Sequence, residues 1–581
     1  MLVALVWEKT RLVFGALGFR IRISRAASIF RGLSRPIAQT EERGFDYEEA
    51  SAQASLLGGY VMMHKNPETQ NSRSAWRQAL GALGLSVFAL VSARIATADT
   101  VLDWNIIPLK TTGLPGRKKE GHMVRQHLRS GLRKMAVVAV FLLVGACLLQ
   151  KSSAITSAED GQGVDETLDW NAHLIDGLFT AGTTPPPALR IAAIMNIAMF
   201  DAANAVTHRS RSFHFDLDAP PGTSRRAARI GAAYTVLSKI FPTQQAKWDA
   251  AKAASVAALS DDEDDDGTGQ STVNGLAWGT TVALDVLAWR ATDGFTRTFP
   301  PFTGGTAIGQ WRPTPPAFQP MVQMQFAFMA PFVVTSLDQF LPGKPRGLNT
   351  DTWVSDYNEV KQIASTTSTT RTAEQTSIGW FWAGVGWAHW SDAAHALAVA
   401  NHSGRETTSR LFAQMAAAGA DTIETTWHGK WLYAQDPTAV TWRPITAIRL
   451  GGDGNPATPA DPAWTPYIPT QPHPEYVAAH PSFNGCAAAV LQAYYGDDDN
   501  SQSFELSYPV APSTAFGALP PGVTPTRSFT SIAQAEQEAN DARVFGGLHY
   551  RSSVNVADGE GRTIAAYVMA NFGTPIHRNQ R

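Results

Sequence analysis

Cysteine is almost missing from this 581-residue chain, which carries only Cys147 and Cys486. Two cysteines cannot build a disulfide framework, and neither has a metal-ligand neighbour at CxxC spacing. Cys486 reads as a small core residue. Charge is also sparse. Charged residues make up 17% of the chain and the net charge is −2, which excludes a globally basic surface for nucleic acid. Apolar runs near the N-terminus, 79–93 and 135–149, are shorter than the roughly 20 residues a bilayer-spanning helix needs. Convincing alternating strand patterns are scarce. The acidic run 261–266 suggests a calcium loop, but counting twelve positions from Asp262 reaches Val273, where an EF-hand needs Glu. It reads as a solvated loop between helices.

What is present is a large apolar fraction, 44% hydrophobic, enough for a sizeable core. The apolar run 79–93 follows Arg73 and Arg77 and ends near an A-x-A pattern at Ala96–Ala98, as a signal peptide does. The run 135–149 follows a basic stretch, 123–134, and contains Val144-Gly145-Ala146-Cys147, a lipobox-like tetrapeptide. The tetrapeptide LDWN follows each run, at 102–105 and 168–171, which suggests either a partial duplication or a start assigned upstream of Met123 or Met135. Residues 1–164 are therefore expected to be a poorly ordered signal, anchor and linker region without catalysis. The chain is expected to be exported (periplasmic, extracellular or lipid-anchored), with membrane attachment through this segment.

From about residue 168 the periodicity is helical. Residues 188–206 place apolar side chains at three- and four-residue spacing, and so do 226–239, 244–259, 275–290, 372–400, 407–432, 484–495 and 560–572. Pro- and Gly-rich stretches, 299–320 and 452–475, read as loops. The expectation is an all-α protein, a large helical bundle with long loops. It divides into an N-terminal half, 165–400, and a C-terminal half, 401–581.

Three segments of the C-terminal half concentrate Arg, His and Gly: 427–449, 473–491 and 542–551. In the second, His480 precedes Pro481 and an apolar run. Proline suits a first helical turn, so His480 is placed at a helix N-terminus, where free N–H groups and the positive dipole end attract anions. In the third, Arg543 and His549 are six residues apart and would diverge by about 120° on one helix. Gly546-Gly547 lets the chain turn so that both face one pocket. Arg443, before Pro444, sits at an element boundary. Guanidinium groups bind oxyanions through a fork and Lys430 adds a point charge. Spacing alone also fits surface arginines and histidines beside helix caps.

The three segments resemble the signature shared by vanadium-dependent haloperoxidases, type 2 phosphatidic acid phosphatases and bacterial acid phosphatases. That signature is Lys, six residues, Arg-Pro; then Pro-Ser-Gly-His; then Ser-Arg, five residues, His. Arg443-Pro444, His480, and Arg543 with His549 match it. Milder likeness to the bacterial haloperoxidase branch covers roughly 168–573, through stretches such as 198–206, 290–295, 309–316, 358–361 and 371–376. The resemblance implies vanadate as cofactor, His549 as its vanadium ligand (or a phosphatase nucleophile) and His480 as the acid–base group. It further implies Lys430, Arg443, Arg543, the backbone of Ala479 and Gly546 as oxyanion contacts, and hydrogen peroxide with halide, or a small phosphoester, as substrates. Three readings stand at this point: a haloperoxidase, a secreted phosphomonoesterase, or a non-catalytic homologue.

The chain departs from the pattern in three places. Twelve residues separate Lys430 from Arg443, implying a six-residue insertion at about 434–439. At the strict spacing stands Asp436, which would repel an oxyanion. Ala478-Ala479 replaces Ser-Gly, removing a hydroxyl donor, and Ala542 replaces the Ser before Arg543.

Overall fold

The computed structural model describes residues 165–259, 268–496, 502–508, 519–520 and 523–576. All the described residues belong to one compact unit. The signal-like runs, the first LDWN, the Cys147 lipobox and the acidic run 261–266 lie outside the described residues.

Two long central helices carry the core. Helix α2 (Pro185–Thr207) starts with Pro185 and Pro186 in its first turn and ends with His208 in the left-handed region. It is the one described helix long and apolar enough to cross a membrane, but it is buried within the protein. Helix α9 (Arg405–Gln435) packs against it. Its middle is alanine and glycine from Ala416 to Ala420, which lets neighbouring helices approach closely. Against this pair pack α1 (Glu166–Thr180), α3 (Arg225–Ile240), α5 (Gln270–Arg290) and α8 (Gly386–Ala400), while α4 (Gln245–Ala257) packs on α3, and α6 (Asp351–Ile363) and α7 (Ala373–Phe381) pack on later helices. C-terminal to α9 come α10 (Pro444–Leu450), α11 (Ala479–Tyr495), α12 (Ile532–Phe545) and α13 (Arg551–Asn571). The mainly helical expectation holds. The described strands form one antiparallel ribbon, β1 (Phe504–Ser507) with β2 (Thr526–Phe529), whose Phe504 lies opposite Phe529. A continuous apolar core runs from Leu168 on α1 to Val568 on α13, with Cys486 within it as an unpaired buried thiol.

Long loops are tied to this core by buried carboxylates. Asp421 on α9 accepts the backbone N–H groups of Phe332, Val333 and Val334, at 2.6, 2.9 and 2.8 Å. Asp201 on α2 does the same for Phe213, His214 and Phe215, each at 2.9 Å. A loop has no ladder of its own, so its buried N–H groups need such acceptors. Helices α11 and α13 pack almost backbone to backbone. A Cβ at Gly561 would lie 1.7 Å from the carbonyl oxygen of Ser482, so no other residue fits there. This close approach carries the start of α11 towards the start of α13, and both ends belong to the site.

Candidate oxyanion site

The cluster is assembled from five pieces of chain. Lys430 projects from the C-terminal part of α9. Arg443 is the N-cap of α10, in extended backbone, with Pro444 opening the helix as expected. His473 and Glu475 close the long loop that precedes α11. Ala478 is the N-cap of α11 and Ala479 and His480 are its first residues, so the helix-start placement of His480 holds. Arg543 lies in the last turn of α12, and the chain turns at Gly546 and Gly547 (φ 78°) before His549 and α13. A left-handed glycine is what that reversal needs.

All the charged members are buried. Lys430 donates to the carbonyls of Pro474 (2.7 Å) and Glu475 (3.1 Å). The side chain of Asp436, in contrast, receives Lys344 and Thr438 at the surface. The insertion therefore lengthens α9 and the following turn outside the cluster, and Lys430 keeps its place within it. Arg443 is held on several sides. Its Nε donates to His473 O (2.8 Å), Nη1 to Leu548 O (2.8 Å) and to Nε2 of His549 (3.1 Å), and Nη2 lies 2.9 Å from Nδ1 of His473. On its other nitrogen, His549 donates from Nδ1 to Oε1 of Glu475 at 2.8 Å. That bond places the ring proton on Nδ1 and leaves Nε2 as the free base.

Arg543 differs from the other two cations. Although 2% exposed, its Nε and Nη1 have no hydrogen-bond partner among the described residues. A buried guanidinium with unmade donors is costly, and the missing partner is an acceptor. Arg543, His473, His480 and Ala479 line a cavity of about 140 Å³ whose walls include Trp387, Trp427 and Phe483. Lys430, Arg443 and His549 lie behind that floor, joined to it through His473. Gly546 serves the turn: its N–H donates to Ala542 and its carbonyl accepts from Ile468, so the expected free donor is already engaged. Ala542 is fully buried. Ser482, one turn into α11, does not restore the hydroxyl lost at Ala478, because its Oγ is bonded to Glu560 and Thr426.

Burial governs the titration of the cluster. It pulls Lys430 well below the ordinary lysine value, Arg443 to about 10 and Arg543 to about 9. It also pulls His473, His480 and His549 well below 6.5, helped by the neighbouring cations, and pushes Glu475 up to about 7 and Glu560 to about 8. A buried cluster of Lys and Arg donors beside histidines held neutral is suited to a bound anion, which would offset that desolvation. No group of three or more His, Cys, Asp or Glu among the described residues is arranged to hold a metal ion. One histidine base plus cationic donors matches a metal oxyanion instead.

Glu475, His473 and Glu560 are not legible in the sequence as site residues. His473 and Glu475 stand in the His480 segment, but nothing local marks them. Glu475 meets His549 across 74 positions, and only the fold supplies that pairing.

Residues 410–577 match the family model described as the VCPO second helical-bundle domain. No curated protein matches the chain. Among solved structures, a bacterial vanadium-dependent iodoperoxidase superposes with a TM-score of 0.57 at 22% identity, covering 73% of this chain and 100% of that one. Apo and holo forms of a bacterial vanadium-dependent chloroperoxidase superpose with TM-scores of 0.51 and 0.50 at 16% and 17% identity. Each covers 66% of this chain, and 92% and 91% of its own. The motif resemblance thus extends to the three-dimensional structure: the chain has the fold seen in the bacterial vanadium-dependent haloperoxidases, and its residues 410–577 are similar to the VCPO second helical-bundle domain.

Proposed function

We propose that this chain is an exported vanadate-dependent haloperoxidase that oxidises halide with hydrogen peroxide. One observation carries the reading: a buried Arg543 with unmade donors lines an apolar cavity together with His480 and His473, and His473 is joined through Arg443 to His549. The residues present fit a tetrahedral oxyanion. His549 offers Nε2 as the single nitrogen ligand, a position now filled by Nη1 of Arg443. Arg543, Arg443 and Lys430 supply positive charge around the oxygens, and the first-turn N–H groups of α11 at Ala479 and His480 have no intrahelical acceptor. When bound, vanadate would supply Lewis-acid activation of peroxide towards halide.

The chain's own contribution is preorganisation. Glu475 fixes the tautomer of His549. The ring Nε2 of His480 lies 3.1 Å from the carbonyl of Gly384, so that nitrogen donates and Nδ1 remains the base, available to take and return a proton. The indole and phenyl walls make the surroundings of the floor apolar, which strengthens every charge interaction there.

The test is an assay of the full chain with orthovanadate, bromide, hydrogen peroxide and a phenolic dye, run beside p-nitrophenyl phosphate without vanadate. Vanadate-dependent bromination that disappears in His549→Ala supports the reading. Vanadate-inhibited phosphatase activity would replace it with a phosphomonoesterase. Neither activity, with no vanadate binding by calorimetry, would leave a scaffold without catalysis.

A further inference from the structure

A second cavity, of about 400 Å³, shares no lining residue with the one above Arg543. We propose that it binds a small hydroxy-aromatic carboxylate, with the carboxylate at the mouth and the hydroxyl at the inner end. The size lies within the range of sites for compact organic ligands.

The orientation follows from how charge is distributed along the cavity. Lys344 and Arg346 stand exposed at its mouth. Lys344 is shared with Asp436 at 3.1 Å, whereas Arg346 has no ion pair among the described residues, so its fork is available to a carboxylate. The inner lining is of opposite character. Asp356 and Glu475 are buried there, and two carboxylates repel an anionic end but accept from a hydroxyl. Tyr550 adds a second, independent sign. It is 3% exposed and lines the cavity, and its hydroxyl has no hydrogen-bond partner among the described residues. Buried tyrosine hydroxyls ordinarily find a partner, so this one is left for a ligand oxygen. Trp353 and Tyr476 also line the cavity and supply faces against which a planar ring packs. A ligand that satisfies all of these groups has an anionic end, a flat apolar body and a phenolic oxygen.

The cavity shares Glu475 with the oxyanion cluster, but ligand binding there needs no turnover, so its test needs no activity. Binding of 4-hydroxybenzoate to the full chain would be measured by titration calorimetry, beside benzoate and phenol, with and without saturating orthophosphate. Expected is saturable binding of 4-hydroxybenzoate, tighter than either fragment and unchanged by phosphate. The double variant K344A/R346A should weaken it about tenfold by removing charge-assisted bonds. Y550F removes only the hydroxyl, and should weaken 4-hydroxybenzoate roughly three- to tenfold while leaving benzoate unaffected. The proposal is overturned by absence of binding at millimolar concentration, by displacement with phosphate, which would put the probe at Arg543, or by binding indifferent to both variants.

Discussion

Oε1 of Glu475 accepts two hydrogen bonds at once, from Nδ1 of His549 at 2.8 Å and from the backbone N–H of Tyr550 at 3.2 Å. The second bond holds the carboxylate, and the held carboxylate holds the imidazole. A histidine that is to bond a metal oxyanion through Nε2 must keep its proton on Nδ1, and outer partners of this kind are typically worth about 10–100-fold in metal affinity. In Glu475→Gln the amide can present either its oxygen or its NH2 group to Nδ1, so the tautomer is no longer fixed. Vanadate affinity, measured by equilibrium dialysis, should fall by about that factor, with the melting temperature little changed. A loss of fold without a separate loss of affinity would make Glu475 a structural residue only.

Arg543 sets stability against function. In the free protein its unpartnered guanidinium is a liability, so Arg543→Met should raise stability, or at least not lower it, by about 1–3 kcal/mol in denaturant unfolding without vanadate. The same variant should abolish the stabilisation that vanadate gives the parent protein through mass action. If Arg543→Met instead destabilises the vanadate-free protein by that amount, the buried donors have a partner within the chain and the anion argument fails.

How far these features were legible in the sequence depends on whether they are local. The helix start at His480, the boundary at Arg443-Pro444 and the glycine turn before His549 each follow from two or three adjacent residues and are found, but the turn does not bring His549 to the cavity that Arg543 lines. Lys430 is different. Its spacing to Arg443 is broken, yet it stays within the cluster, because the extra residues leave α9 intact and displace Asp436 towards Lys344. A count along the chain cannot tell an insertion that moves a side chain from one that bulges outward. Glu475 and the orphaned donors of Arg543 were beyond sequence reading for another reason. One is a pairing across 74 positions, and the other is a partner that is missing, which only packing reveals.

Ala478 marks where the site is weaker than its motif. As the N-cap of α11 it offers no side-chain hydrogen bond, and it is fully buried beside the cavity-lining Ala479. Ala478→Ser adds one hydroxyl at a position that favours serine for helix capping and that the motif uses for the oxyanion. One added bond to a charged group is worth about 1.5–3 kcal/mol. Vanadate should therefore bind about 10- to 100-fold more tightly in calorimetric titration, with a matching fall in the vanadate concentration that half-saturates bromination. Unchanged affinity with a higher melting temperature would assign the hydroxyl to the cap alone.

His389 gives the fold a pH limit independent of the candidate chemistry. It is enclosed by Phe381 and Trp382, its Nε2 has no partner among the described residues, and burial lowers its pKa from 6.5 to about 4. The folded protein thus keeps this ring neutral over a range in which the unfolded chain protonates it. Its contribution is fully present above pH 6.5, is lost as pH falls below that value, and levels off near pH 4, where the folded ring also takes a proton. The shift corresponds to about 3 kcal/mol at most. His389→Leu, similar in volume and without the orphaned nitrogen, should leave stability at pH 7.5 equal or higher and flatten its decline between pH 6.5 and 4. The measurement is the difference in unfolding free energy between variant and parent across that range, which cancels the other titrating groups. A difference that stays constant with pH would mean the buried ring does not set the acid limit, and that the decline belongs to other groups, such as the buried histidines of the oxyanion cluster, His173 and His395.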